Sequence, residues 1–208
     1  MPRKHRDSTV STPIDTLSVS IPVNCDPSDT EFLVESLYPV HKVHMFIGRT
    51  SPCKDEIATF VLDQFINPWC QGLPVFGHKS HPMPFCYVDC CDSLLRLALI
   101  LFNLRHPALE DFPGISLIDN PPPFPDTDLF DHCLYIARQC VPDLKVLFLD
   151  GYAHILPGDP HDDADTERFN ARVDKAAREE NITVIGIDEF DNLDEMKAGM
   201  EARRRKFQ

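Results

Sequence analysis

The sequence predicts an α/β domain built on a mainly parallel, doubly wound sheet of about five strands, with helices on both faces. Three observations predict it. Short apolar runs alternate with amphipathic stretches along most of the 208-residue chain. The runs are nearly continuous in apolar character, as strands covered on both faces must be. Each is followed by a stretch of helical periodicity long enough for the crossover that parallel strands require. Right-handed crossovers then leave doubly wound arrangements. At 43% hydrophobic content the chain can bury one good core, so one domain is expected.

Five βα units follow in order. A strand over 43–47 (VHMFI) leads to a helix over 55–66, a strand over 84–88 (PFCYV) to a helix over 92–104, and a strand over 115–118 to a helix over 128–140. The strand at 145–149 leads to a helix over 166–180, and that at 182–187 to a helix over 193–206. Residues 1–28 are polar, aperiodic and contain Ser, Thr and Pro, which reads as a flexible leader ahead of a domain spanning 29–208. The segment from Ser93 to Leu104, SLLRLALILFNL, is apolar nearly all round and should be a deeply buried helix, capped by Asp92 or Ser93. Pro121, Pro122, Pro123 and Pro125 forbid regular structure, so PPPFPD is a stiff connection into a helix opened by Asp126 or Thr127. The run from Pro160 to Asp165 has the residue types of a metal cluster, but a solvated acidic loop capping the helix at Thr166 is the expected reading. Trp69, at a helix end, reads as a packing anchor, and His78 and His81 lie in a loop and are not expected to be ligands.

A net charge of −13 and an isoelectric point near 5 exclude a body-wide electrostatic footprint for nucleic acid or an anionic membrane. Basic residues do cluster at the termini, Arg3, Lys4 and Arg6 at one and Arg203, Arg204, Arg205 and Lys206 at the other, where a solvated terminus and a complemented helix dipole explain them. No apolar run reaches the ~20 residues that span a bilayer, and the first residues lack an apolar stretch behind their positive charges, so a cytoplasmic protein is expected. Of eight cysteines, Cys53, Cys70, Cys86, Cys90, Cys91, Cys133 and Cys140 fall mostly within apolar segments and are expected as reduced core thiols. The spacing of Cys86, Cys90 and Cys91 is unlike a zinc pair.

The first strand runs into Gly48-Arg49-Thr50-Ser51-Pro52-Cys53-Lys54-Asp55 and then a helix, the place where a phosphate loop belongs. In G-x-x-x-x-G-K-[ST] the first Gly makes the turn, backbone N–H groups surround the phosphates, the Lys reaches the terminal phosphates, and the hydroxyl serves magnesium. Gly48 and Lys54 have the right spacing. Cys53 brings a Cβ to the second Gly position, and Asp55 brings a carboxylate to the hydroxyl position, where it competes with phosphate as the resident anion of the helix N-terminus. An ordinary βα turn capped by Asp55 also accounts for the stretch. The strand KVLFLD ends in Asp150, an acid placed to hold magnesium through water at the carboxyl edge of the sheet.

The register of these segments resembles the RecA-like ATPases of the hexameric RepA replicative helicase type and their AAA-family relatives. The likeness runs from about Phe32 to Ala202, through FLVESLYPVHKVHMFIGRTSPCKD, GHKSHPMPFCYVDCCDS, VPDLKVLFLDGYAHILPG and REENITVIGIDEF. It implies ATP and magnesium as cofactors, Gly48 and Lys54 at phosphate-binding positions, and Asp150 as the magnesium-associated acid. In the family the second strand ends in a Glu-Asp-Ser-like turn whose Glu activates water. Asp92 and Ser93 match here, Cys91 stands at the Glu position, and Asp89 is a substitute two residues earlier. The family's polar or His-containing sensor turn is replaced by Gly186-Ile187-Asp188-Glu189. The chain resembles a shortened copy, so an oligomer is compatible but a hexameric motor is not expected. Arg49 and Arg138 are the nearest basic residues to an arginine finger, although surface solvation explains each.

Three functions compete. The first is nucleotide binding with weak or absent hydrolysis, linked to DNA replication or recombination, with nucleotide, DNA and protein as partners and no membrane. The second is a pseudo-ATPase used as an interaction module, since Cys53, Asp55 and Cys91 each remove a group that hydrolysis uses. The third is a magnesium-dependent hydrolase assembling Asp89, Asp150 and Asp188 at the strand ends.

Overall fold

The computed structural model describes residues 17–19, 31–49, 56–90, 115–119, 128–158 and 162–190. Three short strands come first: β1 (Leu17–Val19), β2 (Phe32–Val34) and β3 (Tyr38–Pro39). β4 (Val43–Arg49) is followed by α1 (Glu56–Val61), which passes through a π turn (Leu62–Ile66) into α2 (Asn67–Cys70). Then come β5 (Phe85–Asp89), β6 (Ile115–Asp119), α3 (Leu129–Cys140) and β7 (Val146–Asp150). A 3-10 turn (Tyr152–Ile155), α4 (Asp163–Glu179) and β8 (Thr183–Phe190) complete the order.

Among the described residues the main sheet has six strands in the order β1-β4-β8-β7-β5-β6. All pairs are parallel except β1 with β4. The five expected strands are therefore present in one sheet, and β8 lies between β4 and β7. Every residue of β5 and β7 is buried, as apolar runs covered on both faces should be. Alternation along the strands divides the core in two. Phe46, Phe85, Tyr87, Phe148, Ile185 and Ile187 pack with α1 and α2 on one face. Cys86, Val88, Leu147, Leu149 and Val184 pack with α3 and α4 on the other.

Two features depart from expectation. Leu17–Val19, inside the supposed leader, pairs antiparallel with β4 from Leu17↔Ile47 to Val19↔Met45. A three-residue strand is too short to display a period, and its place is fixed by the open backbone edge of β4. β2 and β3 form a separate hairpin whose Leu33, Val34 and Tyr38 close the α1 face of the core, again too short to read.

The helix boundaries follow from their caps. Asp128, not Asp126 or Thr127, caps α3, its side chain accepting from the Phe130 N–H at 2.9 Å. Asp162 caps α4 through the Ala164 N–H at 2.7 Å, starting that helix three residues ahead of Thr166. The π turn places the Asn67 N–H on the Leu62 carbonyl just ahead of Pro68, whose ring and missing N–H disturb a regular helix. Trp69 is fully buried and donates from Nε1 to the His81 carbonyl at 2.9 Å, which makes it the expected packing anchor. Arg138 is tied to Glu180 at 2.8 Å, joining α3 to the end of α4. The helix expected over 92–104, the PPPFPD connection, the helix over 193–206 and both basic termini lie outside the described residues.

Candidate functional site

The carboxyl ends of the strands form a row of acids. In the register, Asp119 of β6 is level with Asp89 of β5, and Asp89 is level with Asp150 of β7. Asp89 is 0% exposed and Asp150 2%. Both lie on the α1 face, because register partners in parallel strands share a face and each stands two residues after a side chain of that core, Tyr87 or Phe148. The Tyr87 Oη donates to Asp150 Oδ2 at 2.7 Å, in a buried contact between neighbouring strands. The backbone around Asp150 is equally fixed. Its carbonyl accepts from the Cys90 N–H at 2.9 Å, and the next N–H, of Gly151, goes to the Ile187 carbonyl at 2.9 Å. Gly151 has φ 79°, the left-handed region, so the chain leaves β7 in a sharp turn that glycine permits.

Gly48 stands at the same edge, one strand beyond β8 and level with Glu189. A Cβ on Gly48 would lie 2.8 Å from Ile57 Cβ. Glycine is needed here so that the first turn of α1 can close on the strand end, and the turn role expected for Gly48 is not what its environment asks, since its φ is not among the positive ones.

Residues 12–194 match an AAA domain family over most of the chain. The chain belongs to the AAA domain family. No curated protein matches this AAA domain. Among solved structures it is similar to a KaiC-like protein from the hyperthermophilic archaeon Pyrococcus horikoshii, with 18% identity, a TM-score of 0.49, and coverage of 77% of this chain and 69% of that one.

Of the site residues expected in this AAA domain, Gly48, the Arg49 backbone, Asp89 and Asp150 are described, and all four are at the carboxyl edge. Thr50, Ser51, Pro52, Cys53, Lys54 and Asp55 lie outside the described residues, as do Cys91 and Asp92. The hydrolase triad does not assemble. Asp188 pairs with Ile47 and follows Ile187, whose side chain is on the α1 face, so alternation sends Asp188 to the opposite face from Asp89 and Asp150. Its Oδ1 instead accepts the Glu189 N–H at 3.0 Å. Among the described residues no group of three or more His, Cys, Asp or Glu side chains is placed to hold a metal ion. No helix among them is long and apolar enough to cross a membrane.

Two residues at the edge were not singled out from the sequence. Tyr87 looks like one more apolar core position, and only the strand order reveals its reach to Asp150. Asp119 completes the row. Glu189, in the turn that replaces the family's sensor, lies within β8 on the α1 face, level with Gly48. Strand-end acids were visible, but their neighbours depend on a crossover order that the sequence does not state.

The cysteines behave largely as expected. Cys70, Cys86, Cys133 and Cys140 are free thiols, and burial pushes Cys70 and Cys86 up to about 12, where they stay protonated and unreactive. Cys140 is the correction: it is exposed, at the last turn of α3 where the helix face turns to solvent.

Proposed function

We propose that this chain binds ATP with magnesium at the carboxyl edge of its sheet and hydrolyses it weakly or not at all. In this reading residues 48–55 surround the phosphates, Lys54 reaches the terminal ones, and Asp150 steadies the magnesium through water. The observation that carries the reading is the buried Asp150 carboxylate at the end of β7, on the same edge as Gly48, in a chain of the AAA domain family. Magnesium typically takes one or two protein carboxylates and completes its shell with phosphate oxygens and water, which fits an acid pair better than a cage. Bound, it would neutralise charge on the phosphate oxygens. Asp150 and its tyrosine donor fit such a group chemically, a fixed anion at a ligand crevice.

The expectation of weak turnover rests on Cys53, Asp55 and Cys91, each of which removes a group that hydrolysis uses. The same three departures favour a second reading, in which nucleotide is bound but not turned over and the domain serves as an interaction module. A link to DNA replication or recombination is supported by the resemblance to RepA-type helicases alone.

Titration with a fluorescent ATP analogue in magnesium tests the proposal. Saturable binding is expected, weakened at least about tenfold in Lys54→Ala, because a lost charged contact to phosphate is worth on the order of 1.5–3 kcal/mol. No saturable binding, or equal binding by Lys54→Ala, would refute it. DNA-stimulated phosphate release well above a buffer blank would exclude the non-hydrolysing reading.

A further inference from the structure

We propose that Tyr87 is a positioning residue for magnesium-nucleotide binding: from the neighbouring strand, its hydroxyl holds the Asp150 carboxylate in the orientation that the metal's water shell uses. This rests on the nucleotide-binding reading above and assigns a role that the phosphate-loop pattern does not contain.

The geometry is specific. Tyr87 and Phe148 are register partners on β5 and β7, and their rings stack with centroids 6.1 Å apart and planes 24° apart. Phe148 also meets the rings of Phe85, Trp69 and Phe65 within 6.2 Å. Packing therefore leaves the Tyr87 ring one direction, along the strand toward the carboxyl edge, and the hydroxyl ends 2.7 Å from Asp150 Oδ2. A carboxylate turns about its terminal bond in a broad well. A short hydrogen bond from a ring that is itself immobile removes that freedom, so the acid needs no reorientation when a charged ligand arrives.

The sequence gives this donor a purpose. In the phosphate-loop pattern a Ser or Thr after the Lys brings a hydroxyl to the metal. Here that position is Asp55, an acid that can accept but not donate when ionised. Tyr87 brings a hydroxyl to the metal-associated acid from the neighbouring strand. Unlike a loop residue, it is anchored in the sheet and fully buried. In this role it acts through Asp150, so it is a positioning residue and not a catalytic one.

The test uses the whole chain, the fluorescent ATP analogue, and a magnesium titration at fixed nucleotide, for wild type, Tyr87→Phe, Asp150→Asn and the double variant. Tyr87→Phe keeps the ring and removes only the oxygen. It should bind nucleotide in EDTA as wild type does, yet need about five- to tenfold more magnesium for half-saturation, the fold-change of one charge-assisted hydrogen bond. The double variant should match Asp150→Asn, because without the carboxylate the hydroxyl has nothing to orient. A merely structural hydroxyl would lower unfolding stability and leave the magnesium midpoint alone. A wild-type midpoint in Tyr87→Phe, alongside a raised one in Asp150→Asn, overturns the proposal while the nucleotide reading stands. Absence of saturable binding by wild type overturns both. Should Tyr87→Phe not fold, Phe148→Leu removes the ring that stacks on Tyr87 and keeps its hydroxyl. The magnesium midpoint should then rise as the donor loses its support, and a wild-type midpoint overturns the proposal.

Discussion

His44 makes the stability of this fold sensitive to mild acid by an amount that can be worked out. It lies on β4 with 2% of its surface exposed, its Nε2 within 2.8 Å of the Pro39 carbonyl and its ring edge-on to Tyr38 at 5.2 Å. Burial lowers its pKa from the ordinary 6.5 to about 4; the Pro39 carbonyl opposes that shift and the Lys42 charge adds to it. The neutral ring donates from Nε2, and Nδ1 has no hydrogen-bond partner among the described residues. A histidine with a depressed folded pKa contributes stability that is present above pH 6.5 and lost as pH falls toward 4, because the unfolded chain takes the proton first. Between about pH 7.5 and pH 5 the unfolded ring becomes almost fully charged while the folded one stays about nine-tenths neutral, a loss on the order of 2 kcal/mol. Urea unfolding of wild type and His44→Gln at those two pH values measures it. The glutamine amide can still donate toward Pro39 but does not titrate. Carboxylates contribute equally to both proteins, so the wild type should lose about 2 kcal/mol more than the variant. Equal losses, or a His44 titration midpoint near 6.5 by NMR in the folded protein, would refute the reasoning.

Gly48→Ala should cost about 1–3 kcal/mol of stability and weaken nucleotide binding, because its Cβ would sit 2.8 Å from Ile57 Cβ at the start of α1. Ile57→Ala should not rescue it, since alanine keeps the atom that clashes; recovery of melting temperature in the double variant would count against this account. Trp69→Phe should lose about 2–4 kcal/mol in urea unfolding, through the lost bond to the His81 carbonyl and the volume left among Phe65, Phe85 and Phe148.

The strands that were legible in the sequence are those that are continuously apolar. VLFLD and FCYVD announce themselves because both of their faces are covered, and that same fact fixes the parallel sheet. The elements that escaped were β1, β2 and β3, of two or three residues each, whose existence depends on an edge or a core surface supplied by distant chain. Helix starts shifted for a local reason: several candidate caps stood in a row, as with Asp126, Thr127 and Asp128, and only backbone geometry selects among them. For the site, the acids at strand ends were visible but their grouping was not. Asp188 looked equivalent to Asp150 in sequence, yet a one-residue offset relative to the alternation puts the two on opposite faces.

That offset also separates the competing chemistries. Asp89 and Asp150 are adjacent across one strand spacing, about 5 Å, and both are almost fully buried. Two buried carboxylates on adjacent strands repel when both are ionised, so a site of this kind gains from a proton, a donor or a cation. Tyr87 supplies a donor to one of them. With Asp188 on the other face, the pair has no third protein ligand for a resident metal among the described residues. A divalent ion there would be held best when it arrives already carrying phosphate oxygens. Under the proposed function, metal affinity and nucleotide affinity are therefore linked, and each should strengthen the other by the same factor. Magnesium that bound equally well with and without nucleotide would point back to an independent metal centre and away from the phosphate loop.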